Sequence, residues 1–314
     1  MTETASTEGG IRPPGWPTAC IGPGRVGTAL TRALHALGFP IVAVGGGREG
    51  WDRRLAEEVG AERVDPPFRD LGEGVRLVVV TTPDNAFEEV AGDLASHAGL
   101  RPGTILLHTS ATEPAAVLRG GSGGGRSWLA EGVFCLSFHP MRAFPDREGG
   151  RERFHDVVLG LEGDHQALPL GRYLADRLGG HPVELSPDRK ALYHAAGVLA
   201  AAGVMALDWA ASRIAGELDL DGVFLEKGIR QGMENVLEVV RDPGLPEGLT
   251  GPVSRGDREV VARHLEAIRR LGPSCEGLYR AVARVNLEVA RMQGRVDPEA
   301  LQALQRLLGD DQNR

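Results

Sequence analysis

Three groups of residues in this chain have types and spacings that could do chemistry. In "SPDRKALYHAAGVLAAAGVMALDWAA" (186–211), Lys190 and His194 stand four apart with Tyr193 beside them, at the head of an otherwise apolar stretch. On a helix such a pair shares one face, and an ammonium or imidazole placed there can pass a proton to a reacting atom. In "IGPGRVGTAL", Gly22, Gly24 and Gly27 form G-x-G-x-x-G around Pro23, Arg25 and Val26. That pattern can cradle a pyrophosphate. In "LTGPVSRGDREVVARHL" (249–265), Thr250, Arg255 and Asp257 crowd a Gly/Pro turn before a helical pattern. A guanidinium there fits a carboxylate in a bidentate fork, although a well-capped loop with Asp257 as N-cap explains the same residues.

Elements must hold these groups in place. Residues 18–48 run from an apolar segment through a helical pattern to a second apolar segment, which predicts a β-α-β unit. In that setting Gly22 permits a tight turn, Gly24 lets backbone approach phosphate, and Gly27 allows close helix packing, with the phosphates at the helix start. Apolar runs at 75–84, 104–111, 133–140 and 155–163 predict further strands buried on both faces of a parallel sheet, with helices expected at 86–97 and 113–118. The carboxyl ends of such strands face the ligand crevice. Thr81, Thr82, Pro83, His108 and Ser110 are therefore expected toward the cofactor, and Ser110 and His139 toward substrate. Each of these residue types also serves as a cap or turn former, so their recurrence at strand ends carries the expectation. The Gly/Ser-rich stretch 119–128 reads as a flexible loop.

An NAD-preferring site places an acid after the second strand for the ribose 2′-hydroxyl. "IVAVGGGR" has none and ends in Arg48, so a 2′-phosphate and hence NADP(H) is favoured. A solvent-facing loop arginine beside Glu49 is the competing reading.

From Pro187 onward helical patterns take over, at about 187–216, 222–240, 259–271, 275–292 and 298–308. The expected organisation is a tail over 1–16, an NAD(P)-binding α/β Rossmann-type domain with a doubly wound sheet over 17–185, and an all-α domain for substrate and dimer contacts over 186–314. Ser186, Pro187 and Asp188 specify the start of the first helix. A cation in its first turn is disfavoured by about 0.3–1 kcal/mol, which favours proton release from Lys190. On spacing alone, a packing helix whose polar tip meets water is the preferred reading of that end.

The length of 314 residues suits two domains, and the net charge of −8 argues against a nucleic-acid surface. No run of eighteen purely apolar residues is read in the sequence, so no membrane contact is expected. The acidic, polar start does not resemble an export signal, and three cysteines without framework spacing fit a reducing cytoplasm with no metal centre.

Taken in order, "IGPGRVGTAL", "HTSA", "SFHPMRAF", "KALYHAAGVLAA" and "LTGPVSRGD…HL" resemble the Rossmann-like proteins with a C-terminal helical domain of unknown function, over residues 18–308. That family is similar to ketopantoate reductases, pyrroline-5-carboxylate reductases and β-hydroxyacid dehydrogenases, with a 6-phosphogluconate dehydrogenase-like second domain. The resemblance implies an NADP-dependent oxidoreductase that reduces a small 2-oxo acid, works as a homodimer through its helices, and uses Lys190 or His194 as proton source. An imine reductase and a non-catalytic NADP(H) sensor are the alternatives. Ala201 and Ala202 stand where the family has Ser-Asn, which leaves the substrate open.

Overall fold

The computed structural model describes residues 15–47, 50–66, 68, 71, 74–120, 129–218 and 222–309. The predicted β-α-β unit is present as β1 (Thr18–Ile21), α1 (Arg25–Ala36) and β2 (Ile41–Gly45), followed by α2 (Trp51–Val59) and β3 (Glu62–Val64). Then come β4 (Leu77–Val80), α3 (Phe87–His97), β5 (Ile105–His108), β6 (Phe134–Pro140), β7 (Val158–Gly163), α4 (Leu168–Leu178) and β8 (His181–Glu184). They build one mostly parallel eight-stranded sheet in the order β3-β2-β1-β4-β5-β6-β7-β8.

The sheet departs from the all-parallel expectation at one place. β7 pairs antiparallel with β6, and β8 pairs parallel with β7. The link from β6 to β7 holds only a 3-10 turn at Arg151–Phe154, and an antiparallel neighbour needs no helical crossover. The helix expected at 113–118 is likewise a 3-10 turn, Ala115–Arg119, after Pro114. The sequence reading left out α2, α4 and the short edge strands β3 and β8. Every residue of β8 is exposed, so no apolar run marks it.

Strand alternation explains the apolar runs. Cys20, Leu77, Val79, Ile105, Leu107, Leu136, Phe138, Leu159 and Leu161 point into one apolar core, whereas Ala19, Ile21, Val78, Val80, Leu106 and Cys135 point into the other. By the same alternation His108, Ser137, His139, Gly160 and Glu162 belong to the second face. Strand register sets His108 beside Ser137, Ser137 beside Glu162, and His139 beside Gly160. A polar row thus crosses three strands of an otherwise apolar sheet.

The chain divides into two compact units, residues up to 198 and from 199 on, so this division falls inside α5 (Lys190–Glu217). The second unit contains α6 (Gln231–Arg241), α7 (Arg258–Arg269), α8 (Pro273–Gln293) and α9 (Pro298–Leu308). A π-helical turn, Phe224–Arg230, leads into α6. Val253, Val261, Leu265, Ala283, Leu287, Leu304 and Leu308 form its core. Pro273 and Pro298 occupy first helical positions, and the Asp297 carboxylate caps α9 by accepting the Glu299 N–H at 2.7 Å. Within the helical stretch Pro187–Glu217, an 18-residue window has a mean hydropathy of 1.5, and the helix is long and apolar enough to cross a membrane by length and composition. Tyr193, His194 and Asp208 interrupt the apolar run in the sequence, which hid this property; Leu192, Leu199 and Met205 are each about three-quarters exposed.

At the end of β2, a Cβ on Gly45 would lie 1.9 Å from the Val64 carbonyl oxygen in β3. Backbone cannot move aside as a side chain can. Gly45→Ala is expected to destabilise the first unit by about 1–3 kcal/mol, read as a lower denaturant midpoint with an unchanged slope.

Candidate functional site

The glycine turn is built by two different demands. Gly22 has φ +72°, and a Cβ there would meet Thr82 Cγ2 at 2.4 Å. A Cβ on Gly27 would lie 2.0 Å from Thr81 Oγ1, so α1 packs directly on the residue after β4. Gly24 differs: its Cβ would meet only the Gly22 carbonyl oxygen, at 3.9 Å. Packing does not require glycine at that position, whereas a ligand resting on bare backbone does. α1 has no acid in its first turn and no side-chain cap, so its leading N–H groups are left for an anion. These features fit a dinucleotide pyrophosphate. Pro23 is buried and Val26 packs on the core, which leaves Arg25 as the exposed side chain of the loop. Thr81 Oγ1 donates to the Gly22 carbonyl at 2.8 Å and so braces the turn, whereas Thr82 Oγ1 is buried without a partner. Pro83 precedes a short 3-10 turn, Asp84–Ala86.

The start of α2 has an unforeseen feature. Arg48 lies outside the described residues. Trp51, the first residue of α2, donates its indole N–H to Thr28 Oγ1 at 2.8 Å and so ties α2 to α1. The guanidinium carbons of Arg147 and Arg54 lie 5.1 and 5.9 Å from the Trp51 ring centre. Arg147 Nε is buried without a partner. Among the described residues, the acid nearest this turn is Asp52, which is buried and already engaged by the Arg63 guanidinium at 3.2 Å and the Arg53 N–H at 2.9 Å. Glu49, like Arg48, lies outside the described residues. Sequence reading passed over Arg147 because it is remote along the chain.

Lys190, at the start of α5, is only 2% exposed. Its ammonium donates to Ser137 Oγ through a short hydrogen bond and to the Ser110 carbonyl oxygen at 3.3 Å. Burial holds its pKa below the usual lysine range, opposed by the negative charges of Glu162, Asp84 and Glu113. Of its three protons, two are engaged and one remains for a third acceptor. Tyr193 lies against β6 and β7: its hydroxyl donates to the His139 carbonyl at 3.3 Å, and a Cβ on Gly160 would meet its ring at 2.9 Å. His194 packs edge-on against the His139 ring, with centroids 5.6 Å apart.

The remaining predicted residues divide by role. The Ser110 hydroxyl donates to Asp84 Oδ2 at 2.9 Å and accepts the N–H groups of Thr112 and Glu113. It therefore organises a turn, and its carbonyl oxygen, not its side chain, reaches Lys190. His108 is fully buried against Phe87, with Nδ1 accepting the Ser110 N–H at 3.0 Å, so it shapes that same turn from the core side instead of facing a cofactor. Burial and the Lys190 charge push His108 down to about 3 despite an opposing backbone hydrogen bond; burial, His194 and Lys190 push His139 down to about 4. Both rings are neutral at physiological pH. Within the second unit, Thr250 is exposed, and Arg255 Nε pairs with Asp257 Oδ2 at 2.9 Å. Asp257 occupies the N-cap position of α7, but its side chain makes no cap bond and holds Arg255 instead. Glu162 was absent from the predicted set. One signal was in the composition: the chain has only two lysines, Lys190 and Lys227, among 35 basic residues.

Comparison with known families matches residues 1–140 to a Rossmann-like domain and residues 157–285 to a domain of unknown function, DUF2520. Among solved structures, a protein from Bacteroides fragilis described as a candidate NADP oxidoreductase is similar at 22% identity and TM-score 0.68, covering 87% of this chain and 98% of its own. A protein from Thermotoga maritima matches at 25% identity and TM-score 0.65, covering 88% of this chain and 100% of its own. An imine reductase from Myxococcus stipitatus, solved with NADP+, matches at 19% identity and TM-score 0.58, covering 93% of this chain and 100% of its own. These likenesses show a shared fold. The comparison with curated proteins finds no match to this chain.

The two buried histidines have a consequence for stability. The unfolded chain takes up protons near pH 6.5, whereas folded His108 and His139 resist until about 3 and about 4. Their stabilisation is full above the unfolded value and is lost as pH falls toward the folded ones, by about 1.4 kcal/mol per pH unit for each ring. Denaturation of the wild type is expected to ease steadily from about pH 6.5 to about pH 4. His108→Asn, which keeps an acceptor for the Ser110 N–H, should flatten that slope.

Proposed function

We propose that this chain, which joins a Rossmann-like domain to a DUF2520 domain, is an NADP-dependent reductase of a small carbonyl acid, with Lys190 as the proton donor. The observation that carries the reading is the buried Lys190 ammonium, held by Ser110 just past the end of β5 and by Ser137 in the middle of β6, with one proton uncommitted. The cofactor supplies hydride to the carbonyl carbon. Lys190 Nζ gives its free proton to the developing alkoxide and becomes the neutral amine, a change that burial favours. Ser137 and Ser110 fix the direction in which that proton points. His194, the alternative donor, packs against His139 and has no comparable acceptor network.

Preference for NADP(H) is supported by Arg54 and Arg147 beside Trp51, where a 2′-phosphate would find guanidinium partners. A cyclic imine is the second substrate class, favoured by the fold shared with the Myxococcus stipitatus imine reductase. Arg255, partly neutralised by Asp257, is the proposed carboxylate contact in the second unit. The exposed apolar residues Leu199 and Met205 on α5 support a homodimer, and three free, buried cysteines suit a reducing cytoplasm.

Purified protein mixed with NADPH and a panel of 2-oxo acids and cyclic imines should lose the reduced-nicotinamide absorbance with one class. Lys190→Met is expected to lower kcat by about 10²–10⁴ with NADPH affinity retained; wild-type turnover by this variant would refute the proton-donor role. Arg147→Ala should weaken NADPH binding by about tenfold and leave NADH binding unchanged. Sedimentation equilibrium should show two copies, and a monomer at all concentrations would exclude the dimer.

A further inference from the structure

Beneath Lys190 lies a second buried charge that the reaction described above does not use. Glu162 in β7 is 6% exposed, and its carboxylate accepts the Ala115 N–H at 2.6 Å. It stands directly across from Ser137 in the β6–β7 register, on the same face of the sheet, and Ser137 is the residue whose hydroxyl receives the Lys190 ammonium. Residues opposite one another in an antiparallel pair have their Cβ atoms about 5 Å apart. Lysine, serine and glutamate therefore form a line from helix start to sheet.

We propose that Glu162 is the positioning residue of the proton-donating site: its buried carboxylate, fixed by the Ala115 amide, is the counter-charge that holds the Lys190 ammonium against Ser137. The catalytic meaning of this assignment rests on the reductase reading, but the assignment itself concerns the free protein. The groups around the ammonium come from every neighbouring element. His108 of β5 and His139 of β6 are neutral by burial. Asp84 is exposed, where water screens it, and its carboxylate already accepts the Ser110 hydroxyl. Glu113 follows β5 in a half-buried turn. On the far side of Glu162, Asp164 is paired with Arg119. Of the three carboxylates near Lys190, Glu162 is the most completely removed from water, so its charge acts with the least screening.

The chain's two lysines make the test direct. Lysine labelled with carbon-13 at Cε gives two NMR signals, and exposed Lys227 serves as internal reference. Glu162→Gln keeps the shape and an acceptor for Ala115 while removing the charge. The Lys190 titration midpoint is expected to fall by about one pH unit or more, a tenfold change in the protonation ratio, with Lys227 unmoved. Glu162→Asp should restore most of the difference. An unchanged Lys190 midpoint in the glutamine variant would overturn the proposal. If that variant does not fold, Lys190→Met tests the reverse coupling. Burial already holds the Glu162 carboxyl above the usual range, opposed by the Ala115 N–H and the Lys190 charge; without that cation its pKa rises further, and stability relative to wild type should fall as pH rises from about 5 to about 8. A difference independent of pH would overturn the proposal equally. No cofactor or substrate enters either measurement, so failure to find reductase activity would remove the functional reading and leave this assignment standing.

Discussion

An ammonium withdrawn from water carries a penalty of several kcal/mol, and Lys190 imposes that penalty on the first unit. Much of the surrounding architecture meets it. The carbonyl of Ser110 is available because the Ser110 turn is held from outside by Asp84 and from the core by His108. The hydroxyl of Ser137 is available because β5, β6 and β7 are in a register that places His108, Ser137 and Glu162 in one row. A one-residue slip of β6 would bring Leu136 or Phe138 under the ammonium and turn Ser137 into the opposite apolar core. Strand register, ordinarily a matter of core packing, here also fixes where a proton is presented.

The antiparallel pairing of β6 and β7 belongs to the same constraint. In a sheet that continued parallel, the next strand would be reached through a helix and its polar residues would be matched differently against β6. The reversal brings Gly160 opposite His139 and Glu162 opposite Ser137. Gly160 leaves the space that the Tyr193 ring occupies, which seats the first turn of α5 on the sheet. The helix start and the carboxylate beneath it are thus positioned by adjacent alternate residues of one strand.

What could be read from the sequence was what is local. Gly22, Gly24 and Gly27 occur within six consecutive positions, and the change from apolar run to helical period around them is a short-range pattern. Lys190 was legible through its spacing to His194 and through a resemblance, and it would have been more so through composition. The chain uses arginine at nearly every basic position yet keeps a lysine in an apolar helix. His108 and Ser110 were placed at the correct strand end, but periodicity does not separate a side chain facing the crevice from one turned into the core. Glu162 and Arg147 acquire meaning only from partners far along the chain, Ser137 in one case and Trp51 in the other. The edge strands β3 and β8 were missed because exposed strands carry no apolar signature.

The glycines show how function separates from folding in this site. Gly27 and Gly45 are required by the protein itself, since a Cβ at either would enter Thr81 or the Val64 backbone. Gly24 is under no such requirement, and the same distinction runs through the polar residues. Ser110 and Thr81 spend their hydrogen-bonding capacity inside the fold, whereas Thr82 Oγ1, His139 Nδ1, Arg147 Nε and one proton of Lys190 are left without protein partners. Leaving buried polar groups unsatisfied is costly unless something else satisfies them. Residual capacity of this kind therefore points to ligand more sharply than residue type does.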